Sequence, residues 1–274
     1  MPLTFEWKGS ISQSVDGASL RPDRLTGSPT EVARFRISAG NSTVEVGDLF
    51  QVEGDGSDQH WVFQGDLRSM GGLASGMTSG KIEIHGDAGP RLGSGMSGGS
   101  IEVEGSAGDW AGAEMRGGSL RIRGNAGDFL GAALPGSRLG MRDGMILVDG
   151  DAGDDAGLLL RRGLIAVGGR IGANLGRRMI AGSVFGFGEV GPAVGFGMKR
   201  GTLALFGLEN FEPSPAFEPS GSFRPHFLTL YLRRLRELGL SVPDSAFTRA
   251  IQRYNGDRVE KGRGEILVAS ARQV

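Results

Sequence analysis

Gly105-Ser106-Ala107-Gly108-Asp109-Trp110-Ala111-Gly112 and Gly124-Asn125-Ala126-Gly127-Asp128-Phe129-Leu130-Gly131 are one G-x-x-G-x-x-x-G motif written twice, 19 residues apart. Outward from this pair the first glycine recurs at Gly86, Gly150, Gly169, Gly188 and Gly207, every step being 19 residues except one of 26 between Gly124 and Gly150. The second glycine recurs at Gly89, Gly153, Gly172 and Gly191, and the third at Gly93, Gly157, Gly176 and Gly195. A fixed period near about 20 residues is the mark of a solenoid, in which each unit buries its apolar face only against its neighbours.

Each unit also carries an apolar code. Ile82 and Ile84, Ile101 and Val103, Leu120 and Ile122, Ile146 and Val148, Ile165 and Val167, and Leu203 and Leu205 alternate just ahead of the first glycine, and only Val184 and Gly186 break the pair. Alternation places both members on one face of a strand. Met96, Met115, Met141, Leu160, Met179 and Met198 follow, and a last glycine closes each unit at Gly99, Gly118, Gly144, Gly163, Gly182 and Gly201. A weaker unit with Trp61, Phe63, Gly65, Gly72, Met77 and Gly80 comes first, with Arg68 where the second glycine would stand. These positions predict an all-β chain, a right-handed parallel β-helix of about seven coils over residues 61–207, with glycine at corners that need positive φ or close backbone approach. The extra residues of the long unit are expected at one corner, near Leu134 to Leu139. A helical reading fails because glycine at this density costs about 1 kcal/mol per site. No 18-residue apolar run exists, so a membrane-spanning helix is not expected.

The chain has 274 residues, 50 glycines, no cysteine and a net charge of −1. Zero cysteines exclude disulfides, thiolate metal sites and a cysteine nucleophile. Met1 to Trp7 lacks the pattern of a signal peptide, and the cytoplasm is the expected compartment. Residues 1–60 read as an N-terminal β cap, with strands at Leu3–Trp7, Thr43–Val46 and Phe50–Glu53. Residues 208–274 read as a connector marked by Pro213, Pro215 and Pro219, then helices and a final strand at Glu265–Val268. Pro225 is placed to open a helix whose stripe is Phe227, Leu228, Tyr231, Leu235 and Leu238, and Asp244 to cap a second that buries Phe247, Ala250, Ile251 and Tyr254.

Chemistry-bearing clusters are absent from the sequence pattern. The glycine loops lack the Lys-Ser/Thr of a phosphate cradle. His60, His85 and His226 have no partner at metal spacing, and Asp109, Asp128 and Asp154 sit at equivalent turns, where Asp suits the turn by bonding its own backbone. No catalytic residue and no metal ligand is assigned. The outward strand positions change along the chain, from Glu83, His85, Glu102, Glu104, Arg121 and Arg123 to Phe185, Phe187 and Phe206. Glu102–Arg121 and Glu104–Arg123 are expected as cross-strand pairs. The apolar steps need a cover, either the chain's own C-terminal helices or another protein chain.

A second stripe is cationic. Arg116, Arg142, Arg161, Arg162, Lys199 and Arg200 fall at equivalent places, with Arg177, Arg178 and Arg138 nearby. Like charges stacked at one spacing repel, which water or an anionic partner can offset. Aromatic interleaving for nucleic acid is missing. Phe185, Phe187, Phe206, Arg161, Arg162, Arg177, Arg178 and Arg200 are the candidate interface residues.

With these residues in view, the chain resembles the C-subunit of the formylmethanofuran dehydrogenase family, and more narrowly the version in the formyltransferase/hydrolase complex of methylotrophic bacteria. The resemblance rests on the repeated motif, on Val46-Gly47-Asp48-Leu49-Phe50 and on Gly262-Arg263-Gly264-Glu265-Ile266-Leu267-Val268. The glycine motif alone also resembles the C-terminal bracing domain of the glutamate synthase large subunit. The family resemblance implies a non-catalytic scaffold, with no cofactor in this chain. Hydrolase-like and formyltransferase-like partner subunits would carry methanofuran and metal, transfer formyl groups between tetrahydromethanopterin and methanofuran, and release formate. Archaeal relatives add a tungsten or molybdenum oxidoreductase subunit. The residues alone leave open a stand-alone module that binds an anionic ligand on the arginine stripe. A β-helix enzyme of the polysaccharide-lyase kind would need a groove built from long loops, which the short units lack.

Overall fold

The computed structural model describes residues 1–9, 13–208, 211–224 and 226–269. Strands dominate, and most lie in one 13-stranded sheet that is largely parallel. The N-terminal part forms β1 (Leu3–Trp7), β2 (Val15–Asp16), α1 (Pro29–Ala33), β3 (Arg36–Ala39), β4 (Ser42–Glu45), α2 (Val46–Leu49) and β5 (Phe50–Gly54). Each repeat then lays one strand on the sheet: β6 (His60–Gln64), β8 (Lys81–His85), β9 (Ser100–Val103), β10 (Arg116–Ile122), β11 (Asp143–Val148), β12 (Leu164–Val167), β13 (Ser183–Gly186) and β14 (Arg200–Leu205), with β7 (Met70–Gly71) beside β2 in a smaller sheet. The C-terminal part adds β15 (Glu218–Phe223), α3 (His226–Glu237), α4 (Ser245–Thr248), β16 (Ile251–Gly256) and β17 (Arg263–Ala269).

Successive repeats touch along three lines. The strands pair in parallel with equivalent residues facing, as in Ile82↔Ile101, Leu120↔Ile146 and Ile165↔Val184. A second line joins Leu67, Ala88, Ala107, Ala126, Ala152, Ile171 and Val190 by single parallel bridges. Along a third, the N–H of the third glycine donates to the preceding repeat, as in Gly112 to Leu92 at 2.8 Å and Gly131 to Ala111 at 2.9 Å. Ile82, Ile84, Ile146, Met96, Met115, Met141 and Met179 are fully buried between these lines. At Gly186, which breaks the apolar pair, Ile171 and Leu205 close over the missing side chain, 3.0 and 3.3 Å from where its Cβ would lie.

The glycines divide by cause. Gly112 (φ +62) and Gly118 (φ +79) take the left-handed backbone that L side chains resist. The first two glycines of each motif answer close approach. A Cβ on Gly153 would lie 2.1 Å from Asp128 Oδ1 and 2.8 Å from the Asp128 nitrogen. The inserted residues leave the third line after Ala133, whose N–H donates to Leu158, and return at Gly140, whose N–H donates to Leu159.

Both ends of the stack are closed by chain from outside the repeats. At one end β1 pairs in parallel with β6 and antiparallel with β5. Phe5 stacks on Phe63 at 4.5 Å and meets Trp61 at 4.9 Å, so aromatic rings seal the core there. At the other end β17 pairs in parallel with β14, and β16 and β15 follow antiparallel. Phe217, 4% exposed, packs against Gly256.

Three local expectations are corrected. The strand foreseen at Thr43–Val46 stops at Glu45, because Val46 opens α2 and Asp48 accepts the Glu45 N–H at 2.9 Å. Helix α3 buries Leu228, Leu232 and Leu235, while Phe227 and Tyr231 stand 47% and 44% exposed. The buried stripe follows the i, i+4, i+7 spacing, which excludes those two rings. The second helix is a single turn, α4, and Ile251 and Tyr254 belong to strand β16, which pairs with both β15 and β17. Asp244 stands at the cap position of α4 without a capping side-chain bond. Pro225, read as opening α3, lies outside the described residues. Among the described residues no helix is long and apolar enough to cross a membrane.

Gly153→Ala should destabilise the chain by about 1–3 kcal/mol, because the methyl group meets backbone that two neighbouring repeats hold in place. Urea denaturation measures this, and a loss under about 0.5 kcal/mol would contradict the close-approach account.

Candidate functional site

The turn aspartates do not bond their own backbone as foreseen; they reach across repeats. Asp109 Oδ1 accepts the Asp128 N–H at 2.9 Å, Asp128 Oδ1 accepts from Asp154 at 2.8 Å, and Asp154 Oδ1 accepts from Ala173 at 2.7 Å. A parallel ladder runs from Asp87 to the Ser106 N–H, from Ser106 Oγ to the Asn125 N–H, from Asn125 to Asp151 and from Asp151 to Arg170, all at 2.7–3.0 Å. These carboxylates therefore hold turns together. A groove of about 920 Å³ runs between the β2–β3 region and the repeats. Its carboxylates are engaged as well, Asp109 in the ladder and Asp16 with the Ala18 N–H at 3.0 Å.

The histidines fall in two places. His60 and His85 flank Glu83, with Nε2 atoms 3.2 and 3.6 Å from its oxygens, and Lys81 forms an ion pair with the same carboxylate. The Lys81 hydrogen bond, ahead of all other causes, holds the Glu83 pKa below the usual range, so this group stays ionised. His226 stands apart on α3. Among the described residues, no three His, Cys, Asp or Glu side chains gather as a metal site.

The outward strand positions stack as the repeat requires, Glu83, Glu102, Arg121, Leu147, Ala166, Phe185 and Ala204 facing in register. The expected ion pairs shift diagonally. Arg123 pairs with Glu102 at 2.6 Å, and Arg121 pairs with Asp149 from the following repeat. Glu104 has the His85 ring nitrogen Nδ1 at 3.9 Å. Arg121 turns away from Glu102 because the end of α3 covers it; its guanidinium also donates to the Leu238 and Gly239 carbonyls, both at 3.0 Å. It is 8% exposed. A buried arginine at carbonyls just past a helix end satisfies acceptors that the helix leaves open.

Phe185, Phe187 and Phe206 are buried within the chain itself. Their cover is Leu228, Leu232 and Leu235 of α3, with Leu240, Val242 and Ala246 beyond it. Phe187 stacks on Phe206 at 5.3 Å and Phe185 on Tyr231 at 5.5 Å. Burying each phenylalanine is worth about 1.5–3 kcal/mol, enough to hold α3 on the sheet.

The arginines separate into two lines. Arg162 and Arg200 lie just ahead of β12 and at the start of β14, and Arg200 faces Arg263 of β17 in register. Arg161 precedes Arg162, and Ile180 and Ala181 interrupt the line in the repeat between. Arg177 and Arg178 sit on another corner, where Leu159 and Arg178 N–H groups link the repeats. Arg177 pairs with Asp155 at 2.5 Å, so its charge is matched internally. Arg161, Arg162, Arg178 and Arg200 are exposed and have no ion pair among the described residues. Arg263 escapes the sequence pattern because it lies outside the 19-residue register, and only strand pairing brings it to Arg200.

No protein-family model matches the chain. A segment of 90 residues, 32% of this chain, is 34% identical to the C-subunit of the Fhc formyltransferase/hydrolase complex of Methylorubrum extorquens, and it spans 34% of that protein. The fold matches, with a TM-score of 0.88 and 32% identity, a chain in the crystal structure of the formyltransferase/hydrolase complex FhcABCD from Methylorubrum extorquens bound to methylofuran. That superposition covers 97% of this chain and 99% of the other.

Arg121→Ala should cost roughly 3 kcal/mol, since Asp149 and two carbonyls lose their donor beneath α3. Hydrogen exchange would read the loss as faster opening of α3 than of the repeats. Glu83 has its own pH signature. Its folded pKa lies below the unfolded value, so its contribution is full above the ordinary carboxylate range and is lost as pH falls through the lowered pKa. Glu83→Gln should therefore flatten the acid limb of the stability–pH curve, measured by denaturant titration at several pH values.

Proposed function

The chain belongs to the C-subunit family of the formyltransferase/hydrolase complex, and on that premise we propose that it is a non-catalytic scaffold within such an assembly. Partner subunits of hydrolase-like and formyltransferase-like type would move formyl groups between tetrahydromethanopterin and methanofuran and release formate. Methanofuran and metal would reside on those partners. The observation that carries this reading is the likeness over nearly the whole chain to a chain of an intact complex. It is supported by the engagement of the turn aspartates Asp109, Asp128 and Asp154 in backbone ladders.

The three lines of contact support the finer architecture proposed here, a right-handed parallel β-helix over 61–207 between a cap of 1–60 and a C-terminal module of 208–274. The cytoplasm is the proposed compartment, in keeping with a chain free of cysteine. Purified alone, the chain should show neither formyl transfer nor formate release. Purified from its source cells under a tag, it should bring partner subunits in fixed ratio. Activity in the isolated chain, or its recovery without partners, would overturn the reading.

The arginine lines are proposed as a docking face for acid. Arg161, Arg162, Arg178 and Arg200 would meet an acidic surface of a catalytic partner, or a polyglutamyl tail such as the family resemblance attaches to methanofuran. Phe185, Phe187 and Phe206 would act beneath this level, by fixing the C-terminal module. Exposed pairs are worth only about 0.2–1 kcal/mol each. Single substitutions should thus be mild, and the combined Arg161→Gln, Arg162→Gln, Arg178→Gln and Arg200→Gln variant should assemble poorly at low salt, the difference from wild type shrinking at high salt, where screening removes what the arginines contribute. Assembly and activity equal to wild type at both salt levels would return these residues to solvent.

A further inference from the structure

We propose that the cavity beside α3 and α4 receives an acidic peptide segment of a partner subunit. The cavity holds about 210 Å³. Leu228, Leu232 and Ile251, each 3% exposed or less, form its buried wall, and Arg224, His226 and Arg249 line it toward solvent. The ring of Phe247 also lines it. A pocket with buried apolar side chains in its wall and the guanidinium groups of Arg224 and Arg249 at its edge fits a peptide carrying a carboxylate next to an apolar side chain.

The distribution of charge favours an outside anion. The nearby carboxylates have cations of their own: Glu218 has Arg258 at 2.6 Å, Glu237 has Arg234 at 3.2 Å, Asp244 has Arg236 at 2.8 Å and Glu265 has Arg253 at 3.2 Å. Arg224 and Arg249 have no ion pair among the described residues, nor does Arg233 on the outer side of α3. Three arginines in one small module of a chain with net charge −1 form a local field that attracts acid. The surface is separate from the arginine lines of the repeats, and its occupant is a protein segment. The inference rests on the reading of this chain as a subunit.

The test uses the full-length chain, tagged and purified from its source cells. The Arg224→Glu, Arg249→Glu variant should recover at least about tenfold less partner than wild type, with an unchanged melting temperature. The Arg224→Gln, Arg249→Gln variant should lose less, which separates charge from folding. A photo-crosslinking phenylalanine analogue exchanged for Thr229, which lines the cavity, should couple to a Glu- or Asp-rich stretch of another subunit. Retention of partners by the charge-reversed variant, or coupling to a segment without acid, would overturn this site and leave the subunit reading standing. A wild-type chain that comes down alone would overturn both.

Discussion

Successive repeats come so close at the G-x-x-G turns that no side chain fits between them, and the rest of the molecule depends on this approach. At Gly127, Gly153 and Gly172 an added Cβ would lie 2.1–2.2 Å from the aspartate oxygen of the preceding repeat. That oxygen accepts the N–H of the residue just after the glycine. Glycine and aspartate are therefore two halves of one device. The glycine removes the atom that would hold the repeats apart, and the carboxylate satisfies a backbone donor that strand pairing leaves free. The neighbouring ladder of Asp87, Ser106, Asn125 and Asp151 accepts any short polar side chain with an acceptor oxygen, which is why that position varies while its glycine does not.

A stack built this way has interchangeable middles and vulnerable ends. Each interior repeat finds its partners on both sides. The first and last would present bare strand edges and an open core. Aromatic rings of β1, β5 and β6 close one end, and β17 with Phe217 closes the other. The C-terminal segment also covers the side of the last repeats, where outward positions become phenylalanine. Arg121 fastens the far end of α3 to the middle of the stack. One segment thus closes the end, covers the apolar side and ties both to a buried arginine.

The repeat was legible because close approach leaves glycine as the sole solution and repeats it at a fixed interval. Core positions followed from strand alternation, and the shift from charged to apolar outward residues foretold a cover. What escaped the sequence lies outside the period. Strand β16 resembles a helical continuation because Ile251 and Tyr254 are three apart, and only pairing with β15 and β17 decides otherwise. The partner of Arg121 was misplaced because the carbonyls that draw it come from residues more than a hundred positions away. Arg177 reads like Arg178 in sequence, yet only the former finds an aspartate, since their side chains leave the corner in different directions.

Rigidity and charge then combine in a way that suits a molecule acting through its surface. Three lines of backbone contact and two polar ladders fix the spacing of every outward side chain, so little conformational entropy remains to be lost when the backbone meets a partner. Along the repeats, cations are carried at the corners, and in the C-terminal module Arg224 and Arg249 line a small pocket. Acidic groups nearby are largely matched from within, as with Asp155 by Arg177 and Glu102 by Arg123. The arginines left unmatched are thus held on a stiff frame, most of them exposed and without an internal acid as partner among the described residues. Such an arrangement raises the free energy of the isolated chain slightly through repulsion, and an acidic surface of matching spacing relieves it.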